Sequence, residues 1–253
     1  MPRLDLRCHP FPVIARFERV VALSFAFPES ILRPLVPPGL EIDTHDDFGF
    51  LTVAMVWTRK LRPAGFPEFL GQDFLLAGYR VFTRLREESG RRLRGLKIIR
   101  SETDKKRMVW AGNILTAYNY RHVNVQVSNS GLDTTVQTSL DDGTRTVALA
   151  FGPPGDAVPL PANSPFSDWH TARLFAGPMP FTFSPRSNGR FVVIEGSRQN
   201  WTPRPVPVRN WEVALFQEQP FRAATPILAN AFSVENVNYR WEKGRIVSPG
   251  SRA

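Results

Sequence analysis

Proline and glycine recur along the whole chain, and this feature constrains the fold most strongly. The 253 residues include 23 prolines and 17 glycines. Proline lacks a backbone donor and glycine favours turns, so both interrupt regular elements. Short runs of apolar and β-branched residues lie between them. We therefore expect an α+β protein that is mostly antiparallel β, with many strands, frequent turns and a few short helices.

Period-two alternation and continuous apolar runs predict the strands. The dipeptide Asp142-Gly143 predicts a hairpin, because glycine supplies the positive φ that a tight turn needs. Capping residues and prolines predict short helices that begin at Pro28, that follow Ser101–Asp104, and that span Ser164–Leu174. The predicted strands are Arg16–Phe27, Phe48–Trp57, Phe74–Leu85, Leu93–Arg100, Thr134–Leu140, Thr144–Phe151, Phe191–Glu195, Trp211–Phe216 and Phe232–Trp241.

Nothing in the sequence divides the chain or marks it for export. Without an internal repeat or a low-complexity linker, we expect one domain over residues 1–253, with loose ends at about 1–10 and 244–253. No run reaches the roughly 18 apolar residues of a membrane-spanning helix, and the N-terminal residues lack an uninterrupted apolar stretch, so we expect no signal peptide. Cys8 is the sole cysteine, so no disulfide can form within the chain. We expect a cytoplasmic protein with no membrane partner.

Positive charge is concentrated in one segment. The formal net charge is +9, and Arg84–Arg107 carries an excess of six positive charges. Such a patch could meet a phosphate backbone, which leaves a structural or nucleic-acid-associated protein as one hypothesis. However, the basic residues alternate with Glu87, Glu88 and other acidic residues, and no stacking aromatic lies among them. We predict a solvated hairpin and no nucleic-acid partner.

Common catalytic signatures are missing from the sequence. There is no GxSxG elbow, P-loop, GxGxxG or HExxH motif. His45 lies beside Asp43, Asp46 and Asp47, but consecutive carboxylates on a turn usually face water. The remaining histidines are scattered without ligand spacing. We therefore expect neither a metal nor a cofactor.

Lysines bear on covalent catalysis, because a Schiff base needs an amine that is deprotonated near neutral pH. Among the five lysines, Lys97 has the most apolar setting. Lys105 and Lys106 are adjacent and could lower each other's pKa, yet they lie in a polar segment where water screens them. We interpret Lys97 as a strand lysine with its amine at the surface, and the pair as part of a solvated turn.

Several stretches resemble known families. Residues 20–57 and 109–121 resemble the acetoacetate decarboxylase-like superfamily. Residues 164–175 and 198–203 are more similar to a relative, the domain of unknown function 2071 family. The similarity covers most of residues 15–215. It implies a cone-like, antiparallel β-barrel with short helices around an internal pocket.

The segment that resembles the decarboxylase active site departs from it at the catalytic positions. The resemblance places the nucleophilic lysine at Tyr120 and its neighbouring lysine at Arg121. Gly112 is kept, Asn113 and Ile114 replace an arginine and a glutamate, and Asn119 replaces a proline. A tyrosine cannot form a Schiff base, so the decarboxylase mechanism should not transfer.

Two further hypotheses concern a pocket around this segment. One is a small-molecule-binding protein, for which a small organic acid is the expected partner because an arginine fork matches a carboxylate. The other is an enzyme that acts on a small carboxylate or keto acid by acid–base chemistry of Tyr120 or His122. The candidate ligand-binding residues are Tyr118, Tyr120, Arg121, His122 and Asn124. Homo-oligomer formation stays open.

Alternation after Tyr120 separates two faces. Tyr120, His122, Asn124 and Gln126 share one face, and Arg121 shares the other with Val123, Val125 and Val127. The resemblance implies that the position of Tyr120 faces the pocket. We therefore predict that the polar row lines an internal cavity and that the valines pack on the outside.

Overall fold

Strands dominate the computed structural model, which describes residues 7–175 and 179–250. Three short α-helices interrupt them, namely α1 (Glu29–Leu32), α2 (Lys106–Leu115) and α3 (Trp169–Ala172). The strands in these ranges are β1 (Val13–Pro28), β2 (Leu40–Ile42), β3 (Thr44–His45), β4 (Phe48–Pro63), β5 (Gln72–Arg86), β6 (Arg92–Thr103), β7 (Tyr120–His122), β8 (Asn124–Ser130), β9 (Asp133–Ser139), β10 (Arg145–Phe151), β11 (Phe181–Pro185), β12 (Phe191–Arg198), β13 (Arg204–Pro205), β14 (Val208–Val213), β15 (Ile227–Trp241) and β16 (Arg245–Val247).

The larger sheet forms a closed circuit of strand pairs. Its order runs β15-β1-β4-β5-β6-β11-β12, and β12 pairs again with β15. The pairs are antiparallel except for β6 with β11 and the side pairing of β6 with β7. The expectation of a mostly antiparallel β protein with a few short helices is thus confirmed.

A second sheet, ordered β14-β10-β9-β8, packs on the outer face of this circuit. One core cluster joins Leu23 and Leu51 of the larger sheet to Val147 and Phe151 of the smaller one. Over its second half, residues 20–27, strand β1 is buried on both faces. Its continuous apolar run follows from this position, because one face meets the second sheet and the other faces the interior of the circuit.

The predicted hairpin forms at Asp142-Gly143. Gly143 has φ +86°, and the backbone N–H of Thr144 donates to Oδ1 of Asp142 over 2.8 Å. Leu140 and Thr144 close the loop through a 2.9 Å backbone bond. Only the glycine has positive φ, so this is a three-residue loop and not a two-residue type I′ turn.

Two helix predictions were wrong in their boundaries. Ser101 and Glu102 continue strand β6, and helix α2 starts only at Lys106, without a side-chain cap. Pairing with β5 and β7 satisfies the backbone there, so the capping residues are not needed as caps. The helix expected from Ser164 is reduced to α3, and its cap is Asp168, whose carboxylate accepts from the Thr171 N–H.

The chain end is more regular than expected. Strand β16, which lies in the segment predicted to be loose, pairs with β12, and Pro249 forms a bridge with Glu87. Residues 1–6 and 251–253, also predicted to be loose, lie outside the described residues. In the described ranges, no helix combines the length and apolar character needed to cross a membrane.

Candidate functional site

The closed circuit surrounds an internal cavity of about 70 Å³, which we call the central chamber. Inward-facing side chains of β1, β4, β5, β6, β11 and β15 line it, and most of them are apolar or aromatic. Its polar lining residues are Thr52, Arg80, Ser101, Tyr118, Tyr120, Thr182 and Tyr239. The lining includes no carboxylate and no lysine among the residues that the structure describes.

Arg80 brings a positive charge into this chamber. It lies on β5 between Leu76 and Phe82, on the strand face that points inward. Its guanidinium forms no hydrogen bond or ion pair with any residue in ranges 7–175 and 179–250. Burial lowers the pKa of Arg80 from its ordinary value, but arginine titrates so far above neutrality that it stays a cation. A buried cation without a partner is unfavourable, and an anion would relieve it.

Three tyrosines surround this arginine closely enough to interact with it electrostatically. The hydroxyl of Tyr118 hydrogen-bonds to that of Thr182 over 2.7 Å. The hydroxyls of Tyr120 and Tyr239 have no hydrogen-bond partner within the described part of the chain. Burial raises the pKa of Tyr120 to about 12 and also raises the pKa values of Tyr118 and Tyr239. At neutral pH all three are therefore protonated and can donate hydrogen bonds.

Helix α2 positions Tyr120. The Asn113 side-chain amide forms two hydrogen bonds with the backbone of Tyr120. Its Oδ1 accepts from the Tyr120 N–H and its Nδ2 donates to the Tyr120 carbonyl, both over 2.8 Å. The ring of Tyr120 lies directly on Gly112, where a Cβ atom would collide with it. These contacts explain why a glycine and an amide precede the tyrosine at this spacing.

Glycines also make room for the other two polar groups. A Cβ atom on Gly78 would lie 2.8 Å from Nη2 of Arg80, two residues further along the same face of β5. A Cβ atom on Gly196 of β12 would collide with the hydroxyl of Tyr239 on the paired strand. The missing side chains of Gly78 and Gly196 therefore leave the space that the Arg80 guanidinium and the Tyr239 hydroxyl occupy.

Of the predicted site residues, Tyr118 and Tyr120 line the chamber and Arg121 does not. The guanidinium of Arg121 is paired with Glu102, which is fully buried between the two sheets, and its Nε donates to Oε1 over 2.8 Å. Glu102 also accepts from Tyr79 over 3.0 Å and from Thr146 over 2.8 Å. Arg121 therefore neutralises a charge of the protein itself.

His122 and Asn124 also lie outside the chamber. Nδ1 of His122 is 3.0 Å from Oδ1 of Asp141, and Asn124 is exposed. The face prediction was therefore wrong beyond Tyr120, because Gln126 is exposed while Val123 is fully buried. The physical reason is a change of sheet: β7 pairs with β6, whereas β8 joins the second sheet after a break at Val123.

Two arginines of the basic segment pair with one carboxylate of the acidic turn. Asp43 is fully buried, in contrast to the predicted solvated turn, and it pairs with Arg84 at 2.5 Å and with Arg94. Arg100 makes a two-pronged contact with Glu218 at 2.9 and 3.1 Å. Within the described ranges, no group of three or more His, Cys, Asp or Glu side chains could hold a metal ion.

Lys97 lies outside the chamber lining. Its amine donates to the backbone carbonyl of Ile98 over 2.7 Å, and burial lowers its pKa.

Sequence reasoning missed Arg80 and Tyr239. A signal for Arg80 existed, since it interrupts the run Phe74–Phe82, which is otherwise apolar on both faces. An arginine in such a run needs a specific reason, because charged side chains are rarely buried without a partner. Tyr239 carried no comparable signal, because its surroundings come from distant strands.

A second cavity of about 270 Å³, which we call the vestibule, adjoins the chamber. The two cavities share five lining residues, namely Phe17, Leu76, Tyr118, Tyr120 and Trp241. The site thus has a small compartment that holds Arg80 and a larger, mostly apolar compartment beside it.

Comparison with known proteins identifies the family of this chain and structures with a similar fold. Residues 15–235 match the family DUF2071, described as "Uncharacterized conserved protein". No match was found among curated proteins. Among solved structures, the enduracididine biosynthesis enzyme MppR complexed with pyruvate is similar at 14% identity and a TM-score of 0.65, covering 95% of this chain and 91% of that one.

An acetoacetate decarboxylase from Legionella pneumophila subsp. pneumophila str. Philadelphia 1 is similar at 12% identity and a TM-score of 0.62, covering 95% of this chain and 88% of that one. An acetoacetate decarboxylase-like enzyme from Sphingomonas wittichii RW1 is similar at 12% identity and a TM-score of 0.51, covering 100% and 97%. At these identities the likeness concerns the fold alone. The chain therefore belongs to the DUF2071 family and has the fold of the acetoacetate decarboxylases.

Proposed function

We propose that this protein binds a small organic carboxylate in the central chamber, with Arg80 as the counter-ion and without Schiff-base chemistry. One observation carries the proposal: Arg80 is a half-buried cation that lines the chamber and has no partner among the described residues, in a lining that holds no carboxylate. A guanidinium offers two parallel donors to a carboxylate, and such charge-assisted bonds are strong. The hydroxyls of Tyr120 and Tyr239 can donate further hydrogen bonds to the same anion.

The fold relatives support a carboxylate as the ligand class. MppR is described in complex with pyruvate, a small keto acid, and the Legionella relative is an acetoacetate decarboxylase. For this chain we infer a ligand of the same anionic character. The closed circuit of strand pairs supports the finer proposal that the scaffold is a single cone-like barrel domain.

The resemblance of residues 109–121 puts Tyr120 at the position of the decarboxylase nucleophile, and no described lysine lines the chamber. A second candidate function is therefore an enzyme in which Tyr120 donates a proton to a bound keto acid. The unpartnered hydroxyl supports this role. Its raised pKa makes it a weaker acid, so the proton stays on the oxygen at neutral pH until a strongly basic atom of the ligand accepts it. The ion pairs of the basic segment, by contrast, give no support to nucleic-acid binding.

Calorimetric titration of the protein with pyruvate, acetoacetate and their neutral methyl esters tests carboxylate binding. We expect the acids to bind and the esters to bind at least about ten-fold more weakly, since bonds to a charged group contribute about 1.5–3 kcal/mol. Arg80→Met should weaken acid binding by a similar factor. Arg145→Met, which breaks an exposed pair with Glu212 on the second sheet, is the matched control and should bind normally.

Thermal unfolding separates loss of binding from loss of folding. Because Arg80→Met removes a half-buried charge that has no partner among the described residues, the unliganded variant should unfold at the same temperature as the wild type or above it. Equal binding of acids and esters, or unchanged acid binding by a folded Arg80→Met variant, would overturn the proposal.

A further inference from the structure

We infer that the preferred ligand is an amphipathic monocarboxylic acid, with its head group at Arg80 in the chamber and an apolar tail in the vestibule. This inference rests on the proposed carboxylate binding and goes further by naming the tail. The vestibule has a volume of about 270 Å³, against about 70 Å³ for the chamber, so most of the volume of the two adjoining cavities lies in the vestibule.

The vestibule offers an apolar surface. Its walls come from the ends of β1, β4 and β5 and from one face of helix α2. Two of its polar residues bond to the protein: Arg62 donates to the carbonyls of Lys60 and Phe66, and the Thr116 hydroxyl donates to the Gly112 carbonyl. Nδ1 of His9 is a buried polar atom of the lining that has no hydrogen-bond partner among the described residues. The apolar wall includes Val13, Leu61, Phe74, Met108, Ala111 and Leu115.

Tyr120 stands at the junction of the two cavities. Its ring lines both, while its hydroxyl is unpartnered among the described residues. A chain of methylene groups could run along the ring while the carboxylate reaches Arg80. The carboxylate would then bind the guanidinium, and the apolar tail would pack against the walls of the vestibule. Each part of the ligand would contact a surface of matching polarity.

The mouth of the vestibule is apolar as well. Leu70 and Phe11 line the vestibule and are 53% and 36% exposed. In the same connection between β4 and β5 as Leu70, Phe66 and Phe69 are 54% and 80% exposed. Exposed apolar residues clustered in this way mark a surface that meets apolar partners, and their position at the mouth fits the entry of a ligand with an apolar tail.

Calorimetric titration with acetate, butanoate, hexanoate, octanoate and decanoate tests the inference, with 1-octanol as the uncharged control. We expect affinity to rise about four-fold for each methylene group that is buried, until the vestibule is filled. Octanol should bind at least ten-fold more weakly than octanoate. A flat series, or a preference for acetate, would overturn the inference while leaving the proposed carboxylate site intact.

Substitutions locate the tail. Ala111→Phe adds a ring to the vestibule wall of α2 and should lower the ratio of octanoate to butanoate affinity at least ten-fold. Trp110→Ala, at a 71% exposed position on the same helix, is the control and should leave that ratio unchanged. Leu70→Asp, at an exposed position where folding is not at risk, should also lower the ratio.

If neither Ala111→Phe nor Leu70→Asp changes the ratio, the tail does not lie in the vestibule and the inference is wrong. Arg80→Met distinguishes the proposed carboxylate site from the inferred tail position, since it should weaken the binding of the short and the long acids alike. If Arg80→Met leaves all the acids bound as before, the proposed carboxylate site itself fails.

Discussion

Replacing Glu102 with glutamine probes the joint between the two sheets. Glu102 is fully buried on β6, and its carboxylate accepts hydrogen bonds from Tyr79, Arg121 and Thr146 at 3.0, 2.8 and 2.8 Å. Thr146 belongs to β10 of the second sheet, so the network links both sheets. Glutamine keeps the shape of the side chain, but it removes the charge and turns one acceptor into a donor.

The structure sets the expected size of the effect. Breaking a buried ion pair costs about 3–5 kcal/mol, because the remaining charge has no partner. The Arg121 side chain is 32% exposed, so water can compensate part of that loss. We therefore expect Glu102→Gln to lower the free energy of unfolding by about 3 kcal/mol, a large share of the roughly 5–15 kcal/mol typical of a domain.

Urea unfolding followed by tryptophan fluorescence measures this change. Glu218→Gln is the matched control, because it also breaks a two-pronged pair with an arginine, Arg100. The Glu218 side chain is 49% exposed, so that loss should stay below about 1 kcal/mol. Combining Glu102→Gln with Arg121→Met should give a coupling energy above about 1 kcal/mol. If Glu102→Gln is no more destabilising than Glu218→Gln, the buried network does not hold the sheets together as argued.

Two more predictions concern the titration of the tyrosines and the absence of Schiff-base chemistry. Burial raises the pKa values of Tyr79, Tyr118, Tyr120 and Tyr239, which are all of the chain's four tyrosines. Because the unfolded value is about 10, their contribution to stability is present below pH 10 and is lost as the pH rises above it. Tyrosinate absorbance should therefore appear only together with alkaline unfolding seen by circular dichroism, and a rise near pH 10 in folded protein would contradict this. Incubation with acetoacetate and borohydride should give no covalent adduct by mass spectrometry; an adduct abolished by Lys97→Ala would show that a Schiff base forms after all.

Local patterns were sufficient for the longest elements. Strands β1, β4, β5 and β6 and the hairpin at Asp142-Gly143 follow from alternation, apolar runs and turn chemistry, which depend on neighbours in the chain. The resemblance of residues 20–57 and 109–121 likewise indicated the fold. Where the sequence failed, as at Ser101, a capping propensity worth about 1 kcal/mol lost to strand pairing with β5 and β7.

The resemblance of residues 109–121 to the decarboxylase active-site segment implies, from the sequence by itself, that Tyr120 stands where those enzymes have a nucleophilic lysine, and this inference needs no coordinates. Only the tertiary structure decided which arginine faces the site. Arg121 lies beside Tyr120 in the chain, yet Glu102, 19 residues away, neutralises it. Arg80 lies 40 residues from Tyr120, yet both line the same chamber. The charge available to a ligand is what remains after the protein's own charges have paired, and that pairing is set by strands that meet only when the sheets close.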